Sequence, residues 1–309
     1  MIYKIYLGLP NLRRPVLFHK IVNRFYLLIF KRLFNNSLIN KVEKLSKTEF
    51  IGINTKERDF TIDVSLTSFP ARINEVSITI KTIFSQTVKA DSITLWLSLN
   101  QFPDRKIPNK LIQQQKRGLS IEFVEDDLRS HKKYFYAFRK QQDNLVITFD
   151  DDVFYPSNTI DSLIQAHLKF PKAIICNRGH RINFKDDVIL KYRSWSHNYK
   201  NITPSLDAVP TGVGGVLYPP NSYSKEIFDV ETFKEICFYA DDLWLKIHSI
   251  RVGTKVLSLR TFSRDLISVG KSQNVKLVQH NAIEGGNDEQ LNKLLDYYKI
   301  TTKNFEDEA

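Results

Sequence analysis

At 309 residues, 42% hydrophobic and 12% aromatic with 11 Gly and 11 Pro, the chain can bury a sizeable core and is neither disordered nor fibrous. Its net charge of +11 is concentrated: residues 1–42 hold eight Lys/Arg and no Asp or Glu, and subtracting those eight leaves +3 for the rest. A nucleic-acid binder spreads basic surface over a folded face, so this distribution argues against nucleic acid and towards a membrane surface.

Within the basic segment, the longest uncharged run between Phe18 and Arg32 is Phe25–Phe30, far short of the roughly 20 apolar residues a bilayer crossing needs, and no signal-peptide pattern precedes it. On a helical wheel Phe18, Ile21, Val22, Phe25, Leu28 and Ile29 gather opposite Lys20, Arg24 and Lys31, with Leu27 and Phe30 off the apolar face. The pattern predicts a helix lying in an interface, with residues 1–50 as a membrane-associating appendage. A helix packed on the protein's own core is the competing reading.

From residue 60 short β-rich runs alternate with helical patterns. Ile62–Leu66, Ser92–Leu97, Ser120–Val124, Leu145–Phe149 and Ala173–Cys176 read as strands; Asn74–Ser85, Pro108–Arg117, Lys132–Gln141 and Asn158–Leu168 read as helices. This alternation predicts an α/β fold, a mostly parallel sheet with helices on both faces. After about residue 178 the pattern loosens, and Trp195–Tyr199 and Pro210–Pro220 read as loops. A helix over Asp241–Ile250, a strand over Lys255–Leu259 and a last helix over Asp288–Tyr298 follow. Cys176 and Cys237 lack metal-type spacing and read as small core residues.

The strand over Leu145–Phe149 runs straight into Asp150, Asp151 and Asp152. Ligands of open α/β sheets bind beyond the carboxyl ends of strands, where this triplet falls. Adjacent carboxylates raise one another's pKa unless a cation is present. Oxygen-only ligation suits Mg²⁺ or Mn²⁺, and such an ion takes one or two carboxylates plus substrate phosphates. An acidic loop capping the helix that starts near Ser157 is the alternative.

The triplet does not stand alone. Val64–Arg72, Asp127–Lys133, Asp150–Asp152, Thr211–Pro220 and Gly285–Gln290, in this order, resemble the motifs of the GT-A glycosyltransferases, and within them the family-2-type bacterial enzymes that build surface polysaccharides. The resemblance spans roughly residues 60–300 and implies a glycosyltransferase domain over 51–309, its donor half at about 60–177 and its acceptor half at about 178–309. It implies Asp152 as the direct metal ligand, Asp150 on the ribose or a metal-bound water, and Asp151 tuning the site. Thr67, Ser68, Pro70 and Arg72 would line the nucleoside pocket, with Arg72 also suited to phosphate oxygens. Asp127 would accept from the imide N–H of uracil, which favours a UDP donor. Arg129, Lys133 and, less directly, Lys132 would neutralise the diphosphate, because two lysines at a helix start are unfavourable without an anion nearby.

The start of the Asp241–Ile250 helix matches the place where inverting members of the family carry their general base. Asp242 is the first choice and Asp241, where the family more often has Glu, the second. Gly212, Gly214 and Gly215 would let backbone approach a sugar or pyrophosphate, or simply form a structural turn, Gly285–Asp288 would close over the donor or cap the last helix, and His280 would add a metal ligand or serve a structural role. Trp195, Trp244 and Tyr218 are candidate sugar platforms, although Trp244 at helical spacing suits a core. The implied activity is metal-dependent inverting transfer (EC 2.4), with Mn²⁺ or Mg²⁺, from a nucleotide-sugar to a glycan or lipid-linked acceptor. The implied location is the cytoplasmic face of the bacterial plasma membrane. A sugar-nucleotide pyrophosphorylase lacks support because no Gly-rich basic loop follows the first strand. A D-x-D phosphatase lacks it because Phe154 stands where Thr or Val is usual. A non-catalytic membrane- or nucleic-acid-binding protein is the reading from another class, and the acidic cluster weighs against nucleic acid.

Overall fold

The computed structural model describes residues 51–261, 266–269 and 286–307, together with Val22, Phe25 and Ile29. Strand β1 (Ile62–Thr67) leads to helix α1 (Val76–Phe84), followed by β2 (Ser92–Ser98), α2 (Asn109–Gln115), β3 (Leu119–Val124), α3 (Lys132–Lys140), β4 (Leu145–Thr148), α4 (Thr159–His167) and β5 (Ile174–Cys176). Next come β6 (Gly179–Arg181), a hairpin of β7 (Phe184–Lys185) and β8 (Val188–Ile189), then β9 (Ala208–Pro210) and β10 (Val216–Tyr218). Helices α5 (Val230–Ile236) and α6 (Asp241–Ile250), β11 (Val256–Ser258) and α7 (Gly286–Tyr298) complete the described elements.

The central sheet has the order β11-β5-β10-β4-β1-β2-β3. β1 pairs in parallel with β2 and β4, β2 with β3, and β5 with β11. Alternate residues serve opposite faces, as the two-residue period of a strand requires. Ile147, Ile175, Leu217 and Leu257 pack with Ile80 of α1 and Leu163 of α4 on one face. Val146, Ile174, Val216 and Val256 pack with Tyr134 and Phe138 of α3 and Trp244 of α6 on the other. Full burial of each such side chain is worth about 1.5–3 kcal/mol, and cover on both faces is why these strands read as continuous apolar runs. The expected α/β class, with a mostly parallel sheet and helices on both faces, is the observed one.

The Pro210–Pro220 expectation needs correction. Within this stretch Val216–Tyr218 forms β10, which runs antiparallel between β4 and β5 in the middle of the sheet. Three residues between Gly215, with φ of +82°, and Pro219-Pro220 are too few to display a period of two. The strand exists because neighbours on both sides supply partners for its buried backbone groups.

Cys176 and Cys237 are free, buried core residues. Val22, Phe25 and Ile29 are helical, and Phe25 and Ile29 keep 60% and 39% of their surface exposed. The remainder of residues 1–50, Gly285 and His280 lie outside the described residues. Among the described residues no helix is long and apolar enough to cross a membrane.

Candidate active site

Because β1, β2, β3 and β4 are parallel, their carboxyl ends meet on one rim of the sheet. The segments leaving that rim carry Ser68 and Arg72, Gln101, Asp127, and the Asp150–Asp152 triplet in turn. Opposite them stand the loop at Thr211 and the start of α6. A cavity of about 530 Å³ lies between. Thr67, Ser68, Arg72, Asp127, Arg129, Lys132, Lys133, Asp150, Asp151, Asp241 and Asp242 all line it, so residues spread over some 175 positions converge on one space. Pro70, Asp152, Gly214 and Gly215 do not line it. Pro70 is exposed on the turn after β1; Gly214 abuts Arg178, and a side chain at Gly215 would strike Phe149.

The three aspartates of the triplet have separate surroundings. Asp151 is buried, accepting from Ser68 Oγ at 2.6 Å and from Arg72 Nη1 at 2.9 Å, while its carbonyl accepts from Thr79 Oγ1 at 2.9 Å. Burial raises its carboxyl above the usual range and outweighs the pull of Arg72 and Ser68. Asp152 Oδ2 stands 3.2 Å from the same Arg72 Nη1, and Asp150 Oδ1 accepts from Lys133 Nζ at 2.9 Å. Burial works against the charge of Arg72, but Asp151 and Asp152 hold its guanidinium above the ordinary value. The repulsion foreseen in the triplet is therefore met within the protein by Arg72 and Lys133.

Adjacent Lys132 and Lys133 lie about 100° apart around α3, and they diverge accordingly. Lys132, 2% exposed, reaches the carboxylate of Asp127. Asp127 also accepts from the backbone N–H of Arg129 at 3.0 Å and from Gln101 Nε2 at 2.7 Å. Arg129 takes up φ of +50°, unusual for a side chain with a Cβ, and its guanidinium lies 4.6 Å over the ring of Tyr239. It thereby links the entry of α3 to the entry of α6.

Lys133 turns the other way. Its ammonium is 2.9 Å from both Asp150 Oδ1 and Asp241 Oδ2, joining the triplet to α6. Burial disfavours its charge, yet Asp150, Asp241 and Asp242 outweigh burial and hold it well above the ordinary lysine value. The same ammonium divides the two aspartates of α6. Asp241 is held below the usual carboxylate value because Lys133 outweighs burial. Asp242 is pushed up to about 7 by burial and then by the charge of Asp241, against the weaker pull of Lys133. Asp242 Oδ2 accepts from the N–H of Gly212 at 3.3 Å. A Cβ at Gly212 would sit 2.8 Å from both Asp150 Oδ1 and Lys133 Nζ, so one of these side-chain ends would have to shift to accommodate it.

The donor set suits a hard divalent ion shared with a ligand's phosphates. Asp150 and Asp152 keep 31% and 19% of their side chains exposed and offer oxygen donors, whereas both oxygens of Asp151 are committed inside. Among the described residues no group of three or more His, Cys, Asp or Glu is arranged to hold a metal unaided.

Sequence reasoning missed Gln101, Tyr192, Tyr239 and Asn287, which also line the cavity. Asp288 Oδ1 accepts from the N–H of Tyr192 at 2.6 Å, tying Tyr192 to the start of α7. Trp195, Trp244 and Tyr218 are 4%, 0% and 3% exposed, so none offers a ring to a sugar. They close the core behind the site, while Tyr192 and Tyr239 stand at the cavity.

No family model and no curated protein matches the sequence. Among solved structures, similarity is found to a mannosyltransferase from Pyrobaculum calidifontis in complex with GDP-Man and Mn²⁺, with 10% identity over 91% of this chain and 77% of that one and a TM-score of 0.49. Similarity is also found to 4-diphosphocytidyl-2C-methyl-D-erythritol synthase from Anaerococcus prevotii, with 18% identity, 75% and 96% coverage and a TM-score of 0.41. A CMP:2-keto-3-deoxy-manno-octonic acid synthetase complexed with CTP aligns at 8% identity, 64% and 89% coverage and a TM-score of 0.37. Likeness of this degree assigns no activity, which has to come from the site itself.

Proposed function

We propose that the protein is a GT-A-type, family-2-like glycosyltransferase that moves a sugar with inversion from a nucleotide-sugar, a UDP-sugar by the position of Asp127, to a hydroxyl of a glycan or lipid-linked acceptor in bacterial surface polysaccharide synthesis. One observation carries this reading: Asp242, with a carboxyl poised near pH 7, faces across one cavity a set of groups suited to a nucleoside diphosphate.

Each residue then has a role. Asp242 takes the proton of the acceptor hydroxyl as that oxygen bonds to the anomeric carbon and the bond to the diphosphate breaks. Asp241, kept ionised by Lys133, holds Asp242 near neutrality rather than acting as the base. Arg72 presents a guanidinium to the departing diphosphate. Asp150 and Asp152 would hold Mn²⁺ or Mg²⁺, which when bound neutralises phosphate charge.

The basic segment of residues 1–42 completes the proposal as a peripheral anchor on the cytoplasmic face of the plasma membrane. Its support is the pair of exposed apolar side chains, Phe25 and Ile29, on helical residues. Phe25→Ser with Ile29→Ser should release the protein from anionic vesicles in a sedimentation assay.

The decisive experiment is nucleotide release from a panel of sugar nucleotides, with Mn²⁺ or with chelator, for the wild type and Asp152→Ala. Slow metal-dependent release from one donor, abolished by the substitution, is the expected result. Neither release nor binding of any sugar nucleotide would overturn the reading.

A further inference from the structure

An acceptor oxygen must come within about 3 Å of Asp242 to give up its proton, so the group that carries it lies against the wall of Asp242 and not on the rim of β1 to β4. Beside Asp242 that wall is lined by Tyr192, Val209, Pro210, Thr211 and Asn287.

Tyr192 is held firmly from behind. Its N–H donates to Asp288 Oδ1 at 2.6 Å, and its ring packs on Trp195, His197 and His180 with centroids 4.9, 5.5 and 5.7 Å away. Trp195 is itself fixed by Nε1, which donates to the carbonyl of Leu190 at 2.8 Å, and His180 lies opposite Val209 in the pairing of β6 with β9. Burial pushes the Tyr192 phenol up to about 12, and the charge of Asp242 adds to the rise against the opposing Arg178, so the ring stands within the field of the base. An aromatic ring held in this position suits a pyranose, whose C–H face can pack on it while one of its hydroxyls reaches the carboxylate. Because the ring is already immobilised, little side-chain freedom is lost when it is covered.

The charge on this wall selects among acceptors. Lys133 is engaged by Asp150 and Asp241, and Val209, Pro210, Thr211 and Asn287 are uncharged. Arg178 does not line the cavity, and its Nη1 donates to Thr211 Oγ1 at 3.0 Å; Arg129 lies over the ring of Tyr239. A phosphate brought to Asp242 would meet two carboxyl groups with no side-chain cation of its own, at low dielectric. Its oxygens are also ionised at neutral pH and need no base, whereas an alcohol does.

We infer that Tyr192 is the platform for the acceptor and a determinant of acceptor specificity, and that the acceptor group is an uncharged saccharide ring presenting a hydroxyl to Asp242, not the phosphate of a lipid. The inference rests on the transferase reading above and deepens it on its acceptor side.

The full chain with Mn²⁺ and each of UDP-glucose, UDP-galactose, UDP-N-acetylglucosamine and GDP-mannose provides the test, with nucleotide release compared in water alone, with a panel of methyl glycosides and with farnesyl phosphate. At least one methyl glycoside should raise release about fivefold or more over release to water, and farnesyl phosphate should not. Tyr192→Leu, which fills the same space among the rings without a flat face, should raise the KM for that glycoside about tenfold while leaving release to water within about twofold of wild type. Tyr192→Phe, which keeps the ring, should stay within about threefold on both measures. Stimulation by farnesyl phosphate and by no glycoside, release to water that no glycoside raises, or an unchanged glycoside KM in Tyr192→Leu would overturn the inference and leave the transferase reading standing. Loss of release to water in Tyr192→Leu at an unchanged thermal midpoint would put the ring against the donor and overturn it as well. Release from none of the four donors would overturn both readings.

Discussion

The two walls of the cavity are made differently. On the rim of β1 to β4, repeated strand-helix units deliver charged groups that have protein partners: Asp151 with Ser68 and Arg72, and Asp127 with Lys132 and Gln101. On the opposite wall, short irregular elements bring up Asp242, which accepts from the backbone N–H of Gly212 at 3.3 Å and whose carboxyl is displaced to about 7. A preformed, neutralised wall suits binding of a charged ligand, and a carboxylate left in tension suits proton transfer. Lys133 is the bridge, at 2.9 Å from an aspartate of each wall.

If the walls divide the work in this way, Asp242→Asn should lower kcat by about 10²–10⁴-fold while leaving nucleotide affinity close to wild type. An equal loss of binding, measured by calorimetry with the nucleotide alone, would erase the division. Asp241→Asn should leave more activity than Asp242→Asn, because its role is to set the neighbour's pKa.

The binding wall can be divided further by separating what holds it together from what meets the ligand. Asp151→Ala should cost about 3 kcal/mol of stability, since it strips a buried carboxylate from Arg72 and Ser68. Asp152→Asn, at a partly exposed position, should change stability by no more than about 0.5 kcal/mol yet abolish metal-dependent donor binding. Chemical denaturation of the two variants side by side checks the contrast, and equal destabilisation would place both residues in the scaffold.

The same contrast explains what the sequence made legible. The rim of β1 to β4 could be read in advance because βα alternation is a strong periodic signal and because motifs such as Asp150–Asp152 fall at strand ends. Ser68, Arg72, Asp127 and Lys133 came instead from the resemblance to the GT-A motifs, and the fold brings all four to one cavity. The other wall depends on β10, three residues long and held by pairing from both sides, and on Tyr192, whose position comes from Asp288 almost a hundred residues later. No local pattern encodes such long-range placement. Gln101 escaped for a related reason, since a lone Gln in a loop acquires meaning only when Asp127 is brought to 2.7 Å.

The pH dependence follows from the bridge. A base must be deprotonated to act, so kcat/KM should rise about tenfold per pH unit below an inflection near 7 and level off above it. Lys133 lowers the pKa of Asp242, so Lys133→Met should move the inflection to higher pH, whereas a lysine serving only the donor phosphates would leave it in place.

The smallest expected effect lies where the walls nearly touch. At Gly212 a methyl group would sit 2.8 Å from Asp150 Oδ1 and Lys133 Nζ, both ends of side chains, and one of them would have to move. Overpacking of this kind costs about 1–3 kcal/mol, and here the displacement falls on the Lys133–Asp150 contact and on the N–H that faces Asp242. Gly212→Ala should therefore reduce kcat by about tenfold, shift the pH inflection and lower the thermal midpoint by a few degrees. Gly214→Ala, which meets Arg178 instead, should leave the inflection where it was. If both substitutions moved the inflection alike, the loop would be acting as one rigid unit, and the close approach at Gly212 would not be what couples the walls.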